Sequence, residues 1–223
     1  MKCRKEAFLE KSLDTLSSIC DIIENLPRLK VDGFIPEKTV LVIVDMINAF
    51  AREGNLMSPR VNELVSTVSG ILKLCRKHGI GAIAFADCHA PESPEFDAYP
   101  KHALAGTSES EVVDEIKEIG GYTLILKNST NGFLEEGFQS WLRENPQVEN
   151  FIVVGDCTDI CVQQFATTLK ADFNRRNRRV RVIVPVNAVD TYDYEPHNGD
   201  LMHLMALFSM MGNGIELCKG LVE

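Results

Sequence analysis

Short, unbroken apolar runs alternate along the chain with longer segments in which apolar residues recur at helical spacing. The apolar runs cover residues 40–44, 80–86, 122–126, 151–154, 180–184 and, more briefly, 214–217. Runs of this kind are typical of parallel strands buried on both faces. The segments between them predict helices over 58–79, 110–119, 135–143, 159–174 and 200–211. This alternation predicts an α/β fold in three αβα layers, with a central, mostly parallel sheet.

The first 35 residues have a different pattern. Phe8, Leu13, Leu16 and Ile19 recur at helical spacing and predict an amphipathic helix, which Pro27 would end. We therefore predict an N-terminal helical extension over residues 1–35. One α/β domain, over residues 36–223, would follow it. The extension carries no candidate chemistry, so we expect it to have a packing or oligomer-contact role.

An ionisable residue follows each of the first four predicted strands of the domain. Asp45 follows the first strand, Asp87 the second and Lys127 the third, and a polar turn over residues 155–161 follows the fourth. In open parallel sheets, ligands bind at the carboxyl ends of the strands. We therefore expect these side chains to converge at one edge of the sheet.

Cys161 lies at the predicted start of a helix and is a candidate nucleophile. The reactive form is the thiolate, and a helix N-terminus and a nearby cation such as Lys127 are expected to lower the thiol pKa. Asp45 could accept the thiol proton, and backbone amides of residues 155–161 could bind an oxyanion. Position alone leaves three alternatives open: Cys161 could be a buried apolar residue, Cys157 could be the nucleophile, or the two could form a disulfide.

Three motifs make the pattern more specific. A strand ending in Asp45 is followed by Phe50, Lys127 is followed by a small polar segment and Phe133, and residues 155–162 read Gly-Asp-Cys-Thr-Asp-Ile-Cys-Val. In this order and spacing, the chain resembles the isochorismatase-like cysteine hydrolase superfamily, and most of all its nicotinamidase branch. The resemblance covers most of residues 38–217.

The resemblance implies roles for individual residues. It implies a catalytic triad of Asp45, Lys127 and Cys161. It also implies a cis peptide bond between Asp156 and Cys157, and an oxyanion hole formed by the amides of Cys157 and Cys161. Phe50 and Phe133, the aromatic residues of the first two motifs, are implied in substrate binding, with Phe50 packing on the face of the substrate ring.

A polar loop after the second strand contains Asp87, His89, Glu95 and His102. Carboxylate and imidazole ligands suit Zn²⁺, Mn²⁺ or Fe²⁺, although such a loop is by itself more often simply solvated. Nicotinamidases carry Asp-x-His and a later Pro-x-His before Gly-Thr, and the same spacing occurs here. The resemblance thus implies one divalent metal ion, which would bind the pyridine nitrogen of nicotinamide and orient its amide.

The amino-acid composition and net charge indicate which partners and which cellular compartment to expect for the protein. The 223 residues carry a formal net charge of -9, which argues against nucleic acid as a partner. The basic run Arg175, Arg176, Arg178 and Arg179 is expected to be a solvated helix end.

Seven irregularly spaced cysteines indicate reduced thiols, and no early apolar run resembles a signal peptide. No apolar stretch is long enough to span a bilayer. We therefore predict a cytoplasmic protein without a membrane partner.

The leading hypothesis is a metal-dependent cysteine amidohydrolase, a nicotinamidase that forms a thioester on Cys161. A second hypothesis keeps this chemistry but changes the substrate to a carbamoyl or ureido compound. A third is a metal-binding or thiol-reactive protein without catalytic activity, against which the complete Asp–Lys–Cys set argues. His197 and His203 are expected to lie outside the substrate site. By analogy with the family, we also expect a homo-oligomer.

Overall fold

The computed structural model describes residues 4–223, which form nine strands and seven α-helices. The strands are β1 (Arg28–Lys30), β2 (Thr39–Val44), β3 (Gly81–Asp87), β4 (Tyr122–Lys127), β5 (Asn150–Asp156), β6 (Arg181–Pro185), β7 (Val189–Asp190), β8 (Glu216–Cys218) and β9 (Gly220–Val222). The helices are α1 (Lys5–Glu24), α2 (Asn48–Ala51), α3 (Pro59–Lys77), α4 (Asp114–Ile119), α5 (Glu136–Glu144), α6 (Gln163–Arg175) and α7 (Gly199–Gly212).

The central sheet has seven strands in the order β4-β3-β2-β5-β6-β8, with β7 beside the end of β5, and its ladders are parallel. Helices cover both faces. Leu41 and Ile43 of β2 pack in the core beneath α3, whereas Val40, Val42 and Val44 pack on the opposite side with residues of α5, α6 and α7. Because β2 is buried on both faces, its sequence is continuously apolar. The predicted three-layer α/β fold is confirmed.

The strand order reverses between β2 and β5. From β2 the chain proceeds outward through β3 to β4, then returns to place β5 on the other side of β2. Loops that leave neighbouring strands at such a point run in opposite directions and leave a crevice at the carboxyl edge. Asp45 follows β2, and Asp156 and Cys157 lie at the end of β5, so the candidate residues flank this crevice.

The N-terminal segment is mainly helical, as predicted, but it also contributes a strand. Helix α1 buries Ile19, and β1 pairs in parallel with β9 close to the C-terminus. Among the described residues, the N-terminal segment is thus tied to the body through a two-stranded sheet, and a domain boundary at residue 36 stays a prediction. Cys3 lies outside the described residues. Over residues 4–223, no helix combines the length and apolarity needed to cross a membrane.

The predicted helix over 110–119 begins later than expected, at Asp114. Residues 111–113 are extended instead, because they pair with the segment that follows β2. The backbone of Val113 donates to Met46, Asn48 donates to Glu111, and Val112 forms an antiparallel bridge with Ile47. These contacts between distant segments outweigh the local helical pattern.

Candidate active site

A glycine at the end of β5 allows two strand ends to approach closely. Gly155 has φ of +112°, and a Cβ atom there would lie 1.9 Å from the carbonyl oxygen of Val44. Only glycine fits this conformation and this contact. The peptide bond between Asp156 and Cys157 is cis, and a turn of π-helix over Thr158–Val162 then carries Cys161. The nucleophile candidate is thereby brought beside the end of β2.

The structure brings Asp45, Lys127 and Cys161 into one buried cluster. The Lys127 ammonium Nζ lies 2.8 Å from Asp45 Oδ2, 2.5 Å from Asp87 Oδ1 and 3.7 Å from Cys161 Sγ. Lys127 is 1% exposed and Asp45 is fully buried. Burying an ammonium is costly unless it is paired, and here two carboxylates and the carbonyl of Ser129 surround it. The cluster therefore depends on Lys127 for its charge balance.

Asp45 is a carboxyl group suited to proton transfer near neutral pH. Burial raises its pKa to about 7, an increase that the Lys127 charge opposes and the Asp87 charge reinforces. Its backbone has φ of 52°, a left-handed conformation that Asp tolerates better than most residues. A group with this pKa exchanges protons readily at the pH at which most enzymes work.

The expected lowering of the Cys161 pKa is wrong in this structure. Burial raises the pKa of the thiol well above its usual value, and the nearby charges of Asp45 and Asp87 add to the increase, although Lys127 opposes it. The sequence could not show that the sulfur would be enclosed together with two acids. The thiol must therefore lose its proton to a neighbour, and an oxygen of Asp45 lies within 4.8 Å of the sulfur.

Four further side chains converge beside the triad. Asp87, His89, Glu95 and His102 each place one ligand-type atom within 4.8 Å of the other three. His89 Nε2 lies 3.5 Å from Asp87 and 3.8 Å from Glu95, and His102 Nε2 lies 3.8 Å from Asp87. Backbone hydrogen bonds between His89 and the Ala103–Ala105 segment hold the two histidine-bearing loops together. Asp87 belongs to both clusters, because it also contacts Lys127.

A hydrogen bond at Nδ1 orients the imidazole ring of each of the two histidines, His89 and His102. His89 Nδ1 lies 3.0 Å from Asn128 Oδ1, and His102 Nδ1 lies 2.8 Å from the carbonyl of Pro100. Oxygen acceptors at these positions favour a proton on each Nδ1, so that in a neutral imidazole the Nε2 lone pair faces the acids. The buried Nε2 of His89 has no hydrogen-bond partner among the described residues. Such outer hydrogen bonds are characteristic of histidines that bind a metal.

A cavity of about 770 Å³ opens onto both clusters. Cys161, Cys157, Asp87, Glu95 and His102 are among the residues that line it. Phe50 also lines the cavity, and its ring centroid lies 5.6 Å from that of His102. Phe133 is not among the lining residues. It packs against Phe138 in the core, so the structure does not bring it to the cavity.

Cys157 lines the cavity beside Cys161, and burial raises its pKa well above the usual value for a thiol. Its sulfur faces the Asp156 carboxyl at 3.6 Å, whereas Cys161 faces the Lys127 ammonium. Both cysteines are free thiols. The geometry favours Cys161 as the nucleophile, because it alone of the two contacts a cation.

Several residues near the cavity were not found from the sequence. Arg60, Tyr192, Asp193 and Tyr194 form one part of the wall. His197 does not line the cavity but lies 2.9 Å from Asp159 of the Cys161 turn and stacks on Tyr192. Arg60 lies far along the chain from residues 192–197, and none of these residues belongs to a motif, so only the fold reveals their proximity.

The comparisons with known proteins agree with this geometry. The model of the isochorismatase domain matches residues 39–214. The chain belongs to the isochorismatase family. A further similarity is to Nicotinamidase 1 of Arabidopsis thaliana, with 34% identity over 210 residues that cover 79% of this chain and 84% of the relative.

Solved structures of two amide hydrolases also resemble the chain. The N-carbamoylsarcosine amidase of Thermoplasma acidophilum has a TM-score of 0.65 at 28% identity, covering 81% of this chain and 95% of that one. A pyrazinamidase of Pyrococcus horikoshii in complex with zinc has a TM-score of 0.65 at 23% identity, covering 81% and 98%. The chain is an amidohydrolase of the nicotinamidase-like type, which acts on an amide carbon–nitrogen bond.

Proposed function

We propose that the protein hydrolyses nicotinamide to nicotinate and ammonia through a thioester on Cys161. One observation carries this proposal: the Asp45–Lys127–Cys161 cluster and the His89–His102 donor set open onto one cavity, beside the ring of Phe50. The first cluster supplies nucleophile and proton acceptor, and the second supplies ligands that could fix a pyridine ring. The 34% identity to a plant nicotinamidase supports the same substrate.

In the first half of the reaction, Asp45 accepts the proton of the Cys161 thiol as the sulfur attacks the amide carbon. Because the pKa of Asp45 is about 7 and that of the thiol is much higher, transfer is coupled to attack rather than preceding it. The carbonyl oxygen becomes an oxyanion, for which the backbone amides of Cys157 and Cys161 are the candidate donors. Asp45 then returns the proton to the amide nitrogen, the carbon–nitrogen bond breaks, and ammonia leaves.

In the second half, Asp45 is again an ionised carboxylate and accepts a proton from water. The water oxygen attacks the thioester carbon, and collapse of the second oxyanion breaks the carbon–sulfur bond. The proton held by Asp45 returns to sulfur, and the carboxylic acid that forms gives up its remaining proton to solvent and leaves as nicotinate. Lys127 remains an ammonium throughout. Burial by itself lowers its pKa, but the negative charges of Asp45, Asp87 and Cys161 outweigh that effect and hold the pKa well above the usual value. Its charge offsets that of whichever group is anionic at each step.

Asp87, His89, Glu95 and His102 fit a divalent metal ion. The fit rests on the anchored Nδ1 atoms, the unpartnered Nε2 of His89, and a donor set of two imidazoles and two carboxylates. A bound Zn²⁺, Mn²⁺ or Fe²⁺ would provide a Lewis acid for the ring nitrogen of the substrate and so help to orient its amide. The chain's own contribution is to hold the two imidazoles and to place Phe50 beside them.

A second candidate substrate is a carbamoyl or ureido compound. It is favoured by the 28% identity to the N-carbamoylsarcosine amidase, whose fold matches over 81% of this chain. The Asp45–Lys127–Cys161 chemistry would be unchanged, because the bond that breaks again joins a carbonyl carbon to nitrogen. The two candidates differ in what the remainder of the cavity must accommodate.

Ammonia release by the purified protein distinguishes the two candidates. Nicotinamide and N-carbamoylglycine are supplied separately, each with protein loaded with Zn²⁺, Mn²⁺ or Fe²⁺ and with protein treated with a chelator. The proposal predicts that nicotinamide is the better substrate by kcat/KM and that activity falls on chelation. Better turnover of N-carbamoylglycine would favour the second candidate, and no turnover of any amide would contradict both.

A further inference from the structure

The cavity wall also contains an arginine, outside the donor set, whose guanidinium already contacts several acceptors of the protein. Arg60 lies in the first turn of α3 and is the only Lys or Arg among the described residues that line the cavity. Its guanidinium lies 2.7 Å from Asp190 and 2.7 Å from Asp200, 3.5 Å from Asp193, and donates through Nε to the carbonyl of Thr191 at 3.1 Å.

These contacts leave Arg60 little capacity for a ligand. A guanidinium binds a carboxylate well when two of its parallel N–H groups are free. Here Nε, Nη1 and Nη2 each have an acceptor from the protein. The backbone of Gly199 also lies close to the guanidinium, because a Cβ atom built there would lie 3.0 Å from Nε. The Arg60 cluster, defined as Arg60 with Asp190, Asp193 and Asp200, carries three acids for one base.

Asp193 brings the surplus charge of the cluster to the cavity surface. Its side chain is 59% exposed and lines the cavity, and Oδ1 accepts a hydrogen bond from the backbone of Gly199 at 2.7 Å. With three carboxylates around one guanidinium, the Arg60 cluster gives its part of the cavity wall a net negative charge.

We propose that the Arg60 cluster, through Asp193, makes the enzyme selective for amides without a carboxylate and discriminates against N-carbamoyl and ureido acids. The inference rests on the proposed function for the identity of the reacting site. Where an arginine with free N–H groups would attract a substrate carboxylate, this one is neutralised, and the adjacent Asp193 repels it. Neutral amides, such as pyridine carboxamides or carbamoyl esters, experience no such repulsion.

The test compares each carboxylate substrate with its uncharged methyl ester, which is larger by one methyl group. N-carbamoylglycine is compared with its methyl ester, and 5-carbamoylpyridine-3-carboxylate with its methyl ester, by kcat/KM for ammonia release. We expect the neutral member of at least one turned-over pair to be favoured by about tenfold or more, the scale of one unfavourable charge contact. Because the repulsion is electrostatic and partly exposed to solvent, the preference should shrink at high salt.

Variants of the Arg60 cluster test whether its charges cause the preference for the ester over the acid. Asp193→Asn removes the charge on the cavity wall, and Asp200→Asn, at a carboxylate that is 83% exposed, frees part of the Arg60 guanidinium. Either change should reduce the ester-to-acid preference several-fold. Asp114→Asn removes the same charge from an exposed residue that lies 3.4 Å from Lys117, outside the cavity lining, and should leave the preference unchanged.

An ester-to-acid ratio near one in the wild type, or a preference for the acids, would overturn this inference even if nicotinamide is a good substrate. The same holds if the ratio is equal in wild type, Asp193→Asn and Asp200→Asn. Conversely, the protein could fail to hydrolyse nicotinamide but turn over neutral carbamoyl esters strongly and their acids poorly. That result would overturn the proposed function and support the inference. The two failures are thus distinguishable.

Discussion

Replacement of Lys127 by methionine tests the electrostatic core of the site. Lys127→Met keeps a side chain of similar length but removes the ammonium that lies 2.8 Å from Asp45 and 2.5 Å from Asp87. Removing one partner from a buried ion pair typically costs about 3–5 kcal/mol, because the remaining charge is left without a partner. Two carboxylates would lose their partner here, so we expect a loss at the upper end of that range.

The loss should depend on pH. Burial already raises the pKa of Asp45 to about 7, and without the opposing charge of Lys127 it should rise further. A carboxyl whose pKa is higher in the folded than in the unfolded state contributes stability at low pH, which is lost as pH rises through the folded value. The Lys127→Met variant should therefore be closer to wild type at about pH 5.5 than at about pH 8.5.

Urea unfolding followed by circular dichroism at the two pH values measures these differences. At the higher pH, the free energy of unfolding should fall by about 5 kcal/mol, the upper end of that range. Lys117→Met is the matched control. Lys117 is 43% exposed in its pair with Glu111, so its removal should cost less than about 1 kcal/mol. Equal, pH-independent losses for the two variants would refute the electrostatic reasoning.

Two further predictions concern activity, and a third concerns metal affinity. Because Asp45 must be ionised to accept the thiol proton and its pKa is about 7, kcat/KM should rise about tenfold per pH unit below that value and level off above it; a flat profile between about pH 5 and 8 would contradict this. His89→Ala should weaken binding of added Zn²⁺, measured by calorimetry, by about 10-fold or more; unchanged affinity would exclude His89 from the site. Phe50→Ala should raise KM for nicotinamide more than it lowers kcat, and steady-state kinetics showing the reverse would exclude a ring-binding role.

Much of the fold was predictable because its strands carry a local signal. Continuously apolar runs such as residues 40–44 can satisfy burial only inside a two-faced parallel sheet, and each predicted strand of the main sheet is present. The three-residue strands β1 and β9 carry no such signal, and they pair across almost the whole chain. The strand order is likewise a property of long-range packing, so it became visible only in the structure.

The site was predictable where a motif and a strand end coincide. Asp45, Lys127 and Cys161 are each placed by the element that precedes them, and the parallel sheet makes those elements end together. The Arg60 cluster has no motif, because its acids come from the β7–α7 region and its base from α3. Phe133 follows a motif but packs in the core. The cytoplasmic location, the homo-oligomer and the lack of nucleic-acid partners stay predictions.

The central claim is that the sulfur of Cys161 is the nucleophile, and a comparison of two cysteine variants tests it most directly. The initial rate of ammonia release from nicotinamide is measured for Cys161→Ala and for Cys157→Ala. Loss of the nucleophile should lower kcat of Cys161→Ala by at least about 10³-fold, whereas Cys157→Ala should stay within about 10-fold of the wild type. Substantial turnover by Cys161→Ala, or the larger loss in Cys157→Ala, would contradict the account.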